Sequence, residues 1–190
     1  MGSYATIPRL AGQTRGQSQA VQATTRGYSM SFKMGDMAVY PGHGVGVIEG
    51  VETREFAGTS QMFYVLKILE NGMTVMVPTK KADAIGMREV VAPEEVEQIY
   101  SVLAERDIEL DKQTWNRRYR EYMAKIKTGS PYEVARVLRD LYILKGDKSL
   151  SFGERKMFDQ AKGLLVKELA VAKSEPEGKI EERLGQIFSD

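Results

Sequence analysis

The hydrophobic period of this chain changes at Pro93, and that change sets the architecture. From Phe32 to Val91 apolar residues alternate in short runs: Met37 to Tyr40, Val45 to Ile48 continuing to Thr53, Met62 to Ile68, and Met73 to Val77. Short alternating runs bounded by turn formers read as strands. The breaks are Pro41-Gly42-His43-Gly44, Ala57-Gly58-Thr59-Ser60 and Asn71-Gly72, the last being a strongly favoured hairpin dipeptide. Four or five such strands predict a small SH3-like or Tudor-like barrel, a unit that is marginal alone and gains stability by docking on a neighbour.

Beyond Pro93 the spacing is helical. Glu94 and Glu95 occupy a first turn where carboxylates favour the macrodipole, and Val96, Ile99, Tyr100 and Leu103 follow on one face. A second helix is predicted from near Thr114 to Gly129, with Tyr119, Tyr122, Met123 and Ile126 as its apolar positions and Glu121–Lys125 as a surface pair. Ser130, Pro131 and Glu133 spell a capping box for a third helix that buries Val134, Val137, Leu138 and Leu141. A second box, Ser151 to Glu154, opens a fourth through Met157, Ala161, Leu164, Leu165 and Leu169, and Pro176 precedes a terminal helix carrying Ile180, Leu184 and Ile187. The expected class is α+β, with a barrel over residues 30–91 followed by an all-α bundle over 92–190. Residues 1–29, rich in Gln, Thr, Ser, Gly, Ala and Arg and lacking acids, are expected to be a disordered leader or vector-derived extension outside the fold.

Several function classes find no residues to support them. There is no cysteine, which excludes disulfides, thiolate metal sites and thiol nucleophiles and fits a reducing cytoplasm. No apolar run approaches the roughly 20 residues that span a bilayer, so a soluble protein without a membrane partner is expected. The single histidine, His43, sits in a glycine-rich turn without a carboxylate pair or nucleophile in its sequence context. The glycines from Gly42 to Gly46 lack a Gly-Lys-Ser/Thr ending and lead into a strand, which removes a phosphate loop. Asp36, Asp83, Glu94 and Glu95 are scattered and suggest no metal site. No catalytic residue, cofactor or metal is predicted. The net charge of +1 means that any nucleic-acid affinity must come from a local patch.

One such patch runs from Lys112 to Lys127, where Glu121 is the sole acid and Trp115 the only tryptophan of the chain. Two readings of it stay open. At about 100° per residue Trp115 falls on the face of Tyr119, Tyr122 and Ile126, which favours burial. It also occupies the first turn, where a side chain can project past the bundle, and Arg117, Arg118 and Arg120 flank it as phosphate-holding groups would. A charge run is commonly a solvated face, but the imbalance of sign here exceeds surface decoration. In the barrel, Arg54, Lys80 and Lys81 fit ordinary surface charge, and Tyr40 and Tyr64 fit core packing better than a methyl-lysine cage. A barrel of this kind leaves a strand edge able to pair with another protein's strand.

The run from Met30 to Gly46 (Met-Ser-Phe-Lys-Met-Gly-Asp-Met-Ala-Val-Tyr-Pro-Gly-His-Gly-Val-Gly), Val77-Pro78, Ile85-Gly86-Met87-Arg88, Trp115-Asn-Arg-Arg-Tyr119 and Leu150-Ser-Phe-Gly-Glu-Arg-Lys156 together resemble the CarD/CdnL family of bacterial RNA polymerase-binding transcription regulators. The resemblance covers essentially all of Met30 to the C-terminus. Its first motif is shared with the polymerase-interacting module of transcription-repair coupling factors, and the helical half singles out the CarD group. The resemblance implies a Tudor-like domain that binds the polymerase β subunit by strand addition, through Arg54, Thr74 and Met76. Met76 departs from the arginine that some members carry there. It also implies a helical domain that contacts promoter DNA in the minor groove at the upstream edge of the melted region. Trp115 would be the wedge, with Arg117, Arg118, Arg120, Arg155 and Lys156 as further DNA-binding residues. The implied activity is stabilisation of the open complex at initiation, by a cytoplasmic, non-enzymatic monomer. The alternative is a Tudor-like protein-interaction adaptor whose helices bind a partner and not DNA.

Overall fold

The structure, a computed structural model, describes residues 32–56, 58–108, 114–147 and 149–189, so the expected leader lies outside the described residues. Strands β1 (Met37–Tyr40), β2 (Gly44–Phe56), β3 (Thr59–Ile68), β4 (Thr74–Pro78) and β5 (Arg88–Glu89) form an antiparallel sheet in the order β4-β3-β2-β1-β5. Period-2 alternation does the sorting. Tyr64, Leu66 and Ile68 on β3 point inward and are fully buried with Ile48, while Phe32 meets the Tyr64 ring edge-on at 5.7 Å. Tyr64 is therefore core, and Tyr40 packs partly buried against the same cluster.

Two local features depart from the sequence reading. Asn71-Gly72 does not form a two-residue hairpin turn: Gly72 N donates to Ile68 O at 2.9 Å and Met73 N to Asn71 Oδ1 at 3.0 Å, giving a longer connection in which the Asn side chain acts as a turn acceptor. A short helix, α1 (Ala82–Ile85), precedes β5 and ends at Gly86 with φ 85°; four residues are too few to show a period.

The helical half comprises α2 (Val96–Ala104), α3 (Trp115–Lys127), α4 (Pro131–Asp147), α5 (Phe152–Lys173) and α6 (Glu177–Ser189). Ile99, Leu103, Ile126, Leu138, Leu165 and Ile180 fill its core, all fully buried. The capping box of α5 is complete, with Glu154 N donating to Ser151 Oγ at 3.3 Å and Ser151 N to Glu154 Oε2 at 2.9 Å. That of α4 is half formed. Glu133 N donates to Ser130 Oγ at 3.4 Å, but Ser130 N donates to Thr128 Oγ1 and the Glu133 carboxylate pairs with Arg136.

The sheet docks onto the bundle through β1 and β2. Val39, buried outside the barrel core, lines one small cavity with Leu164, Leu165, Ile126 and Val134. Gly44, with φ 87°, approaches so closely that a Cβ there would lie 3.1 Å from Leu164 Cδ2. Arg88 spans the junction. It donates to both carboxylate oxygens of Glu168 at 2.6 and 2.9 Å and through Nε to Gly129 O at 2.8 Å, while Glu168 also accepts from Val91 N at 3.1 Å. Among the described residues no helix is long and apolar enough to cross a membrane, and no cluster of His, Cys, Asp and Glu could hold a metal ion.

Candidate nucleic-acid interface and sheet edge

Helix α3 begins at Trp115 because Thr114, extended at φ −60° and ψ 149°, offers its carbonyl to Arg117 N and Arg118 N at 3.0 and 3.1 Å. The Trp115 ring lies against the first turn of α5. A Cβ built on Gly153 would stand 2.9 Å from Trp115 Nε1 and 3.0 Å from Cζ2, so only glycine admits the ring there. Tyr119 meets the ring at 5.6 Å and 64°, and the Arg118 guanidinium carbon lies 5.7 Å from a ring centroid. Trp115 is partly buried and packs on the helical core, between the two readings that periodicity left open.

Arg118, expected to face phosphates with its neighbours, is turned inward in this structure. It is 8% exposed, and its Nη2 donates to Glu154 Oε1 at 2.6 Å, the carboxylate itself being 1% exposed. The physical reason is spacing plus a partner. Positions 118, 122 and 126 recur every four residues and share the inward face, where the capping carboxylate of α5 supplies the counter-charge. Tyr119, expected in the apolar stripe, is instead 45% exposed. Arg118 Nε has no hydrogen-bond partner, a burial cost of roughly 1–3 kcal/mol.

The other basic residues stay outside. Arg117, 3.5 Å from Glu121 in a surface pair, is exposed, as are Arg120, Arg155 and Lys156. Such a surface pair contributes little and leaves the guanidinium available. Beside them stands Phe152, the first residue of α5, 85% exposed. The reading of the sequence did not single it out. A signal for it existed: positions 154, 157, 161 and 165 form the inward stripe of α5, and Phe152 is out of phase with it. The fold thus joins the N-termini of α3 and α5 into one corner with two exposed aromatic rings, a partly buried indole, four exposed cations and the positive ends of two helix dipoles.

On the barrel, the register pairs Arg54 with Gln61, Met76 with Val65 and Thr74 with Lys67. Residues 61, 65 and 67 alternate with the buried Tyr64, Leu66 and Ile68, so Arg54, Thr74 and Met76 share the outward face of the sheet. Arg54 pairs with Glu52 at 2.9 Å, both exposed. Strand β4 ends the sheet order, and its far side pairs with no strand among the described residues. His43 is an exposed turn residue 5.3 Å from the Tyr40 ring.

Comparison with known proteins covers both halves of the chain. Residues 32–91 match the family model of the CarD-like/TRCF RID domain, an RNA polymerase-interacting domain, and residues 98–185 match that of the CarD C-terminal domain. A Bacillus subtilis (strain 168) protein named "Putative transcription factor YdeB" is 39% identical over 151 residues, which cover 78% of this chain and 97% of that protein. Among solved structures, CdnLNt from Myxococcus xanthus is 54% identical over 34% of this chain and 92% of its own, with a TM-score of 0.29. The 72-residue N-terminal domain of Myxococcus xanthus CarD is 36% identical over 33% of this chain and 84% of its own, with a TM-score of 0.28. With both of its halves matched by family models and a 39% identical relative matched over 97% of that relative's length, the chain belongs to the CarD family of transcription-associated regulators.

Proposed function

We propose that the protein binds the RNA polymerase β subunit through the β4 edge and, held there, sets the α3–α5 corner into the minor groove at the upstream edge of the promoter bubble, prolonging the open complex. The corner carries this reading: aromatic rings and exposed cations converge at two helix N-termini, as a surface that grips phosphates and stacks on bases requires. An unpaired strand edge suits pairing with a partner strand, whose backbone supplies most of the hydrogen bonds. Thr74 and Met76, on the edge strand, and Arg54, on the same face two strands away, would meet the partner's side chains. No base-specific contact is needed, because collapse of the bubble requires restacking of the upstream step and a wedged ring opposes it.

The division into two modules follows from magnitudes. Four phosphate contacts give a salt slope no steeper than about −3.6, a weak and salt-sensitive affinity. Tethering to polymerase makes the DNA contact intramolecular and raises its effective concentration. The deciding experiment measures decay of the open complex on a promoter with the cognate polymerase. Wild-type protein lengthens the lifetime, whereas a protein-interaction adaptor without DNA binding leaves it unchanged. Replacing Arg117, Arg120, Arg155 and Lys156 with alanine lowers affinity similarly on all duplex sequences and flattens the salt slope by about three units. An unaltered slope would make these four side chains solvated decoration.

Arg54→Glu tests the other contact. Its side chain is exposed, so the melting temperature changes little, while affinity for the isolated β-subunit lobe falls about tenfold through charge reversal at the interface. Unchanged affinity removes Arg54 from that interface.

A further inference from the structure

We infer that Arg118 and Glu154 are positioning residues, a buried ion pair that fixes the angle and depth of the Trp115 ring at the DNA-facing corner without touching DNA. The use made of the ring rests on the function proposed above; the positioning itself rests on the contacts. Arg118 lies one turn after Trp115 on α3, and its guanidinium carbon is 5.7 Å from the indole. Its Nη2 is tied to Glu154 Oε1 at 2.6 Å, and the second oxygen of that carboxylate is held by Ser151 N at 2.9 Å. The pair therefore bolts the first turn of α3 to the first turn of α5. On its α5 side the ring is stopped by Gly153, where a Cβ would come within 2.9 Å. An aromatic ring confined by a backbone and by a fixed cation has little room to change its tilt.

Stability alone does not account for the pair. A buried ion pair contributes little beyond what well-packed apolar side chains of the same volume would, and its best-attested role is to select one arrangement among several. Here one guanidinium nitrogen, Nε, is left without a partner, a defect that an apolar pair would avoid. What an apolar pair cannot do is set direction: dispersion contacts tolerate sliding, whereas a charge-assisted hydrogen bond of 2.6 Å to a carboxylate anchored by its own capping bond does not.

Trp115 is the only tryptophan, so fluorescence reports this ring alone. The double variant Arg118→Met/Glu154→Gln removes both charges, keeps the volume and retains a side chain able to close the capping box. It is expected to stay folded and bind polymerase normally, while acrylamide quenching of Trp115 rises about twofold as the ring gains freedom. The salt slope on duplex promoter DNA stays that of wild type, and the open-complex lifetime shortens roughly three- to tenfold for a loosened wedge. Native quenching in the double variant overturns the inference, and so does a salt slope reduced by about one, which would make Arg118 a phosphate contact. Raised quenching with an unchanged lifetime upholds the positioning and defeats the proposed use of the ring. Should the double variant fold poorly, Gly153→Ala displaces the ring from its other side with the ion pair intact. Raised quenching is expected there too, and native quenching overturns the confinement.

Discussion

On the function proposed above, Trp115→Ala is expected to shorten the open-complex lifetime about five- to a hundredfold, because a base–aromatic contact is worth roughly 1–3 kcal/mol and about 1.4 kcal/mol is a factor of ten. Its binding to polymerase is expected to persist, since the β4 edge belongs to the other half of the fold. The ring is partly buried against the helical core and Gly153, so truncation also destabilises the bundle, though by less than the 3–5 kcal/mol or so of a fully buried tryptophan. The melting temperature drops a few degrees, to a value still above that of the decay assay. Measuring melting and decay on one preparation separates the roles. A folded variant that still prolongs the open complex shows that another residue holds the bubble, and loss of the bundle's tertiary signal shows that Trp115 acts first as core.

Glu168→Ala has the largest expected effect on stability. Glu168 is 5% exposed and accepts from Arg88 twice and from Val91 N, so its removal strands a guanidinium and a backbone N–H at the junction of sheet and bundle. Breaking a buried pair by deleting one partner costs about 3–5 kcal/mol. The Arg88 side chain is 28% exposed and can recover water, which lowers the figure to about 2–3 kcal/mol, or roughly 5–10 °C of melting temperature. On the proposed function the expected consequence follows from tethering: affinity for polymerase survives, but a corner no longer held at one angle to the sheet engages DNA less often, and the lifetime gain falls. Glu168→Gln, which keeps an acceptor for Val91 N, falls between the two. A Glu168→Ala protein with native melting would show that Val39, Gly44 and Leu164 join the halves without the ion pair.

The class of the fold was legible because it depends on local period. Alternation up to Val91 buried Tyr64, Leu66 and Ile68 on one side of β3, and helical spacing beyond Pro93 buried Val96, Ile99, Tyr100 and Leu103. The Ser151–Glu154 box formed as its spacing predicts, since both partners lie within one turn. Ser130 shows how near the limit of local inference lies: Thr128 Oγ1, two residues away, took the Ser130 N–H that the box assigns to Glu133.

Arg118 marks where that inference stops. By sequence it is one of three arginines beside Trp115, and its inward phase becomes meaningful only through a carboxylate 36 positions later. The same holds for Arg88 and Glu168, separated by 80 positions, and for Phe152, whose nearness to Trp115 follows from the meeting of two helix N-termini. Residue order by itself determined which segments are strands and helices and which of their faces are apolar, since these depend on neighbours a few residues apart. Only the tertiary structure decided which cations are spent on buried carboxylates and which remain for a partner, because a charge can be removed from water only where a distant chain segment brings its counter-charge within hydrogen-bond reach.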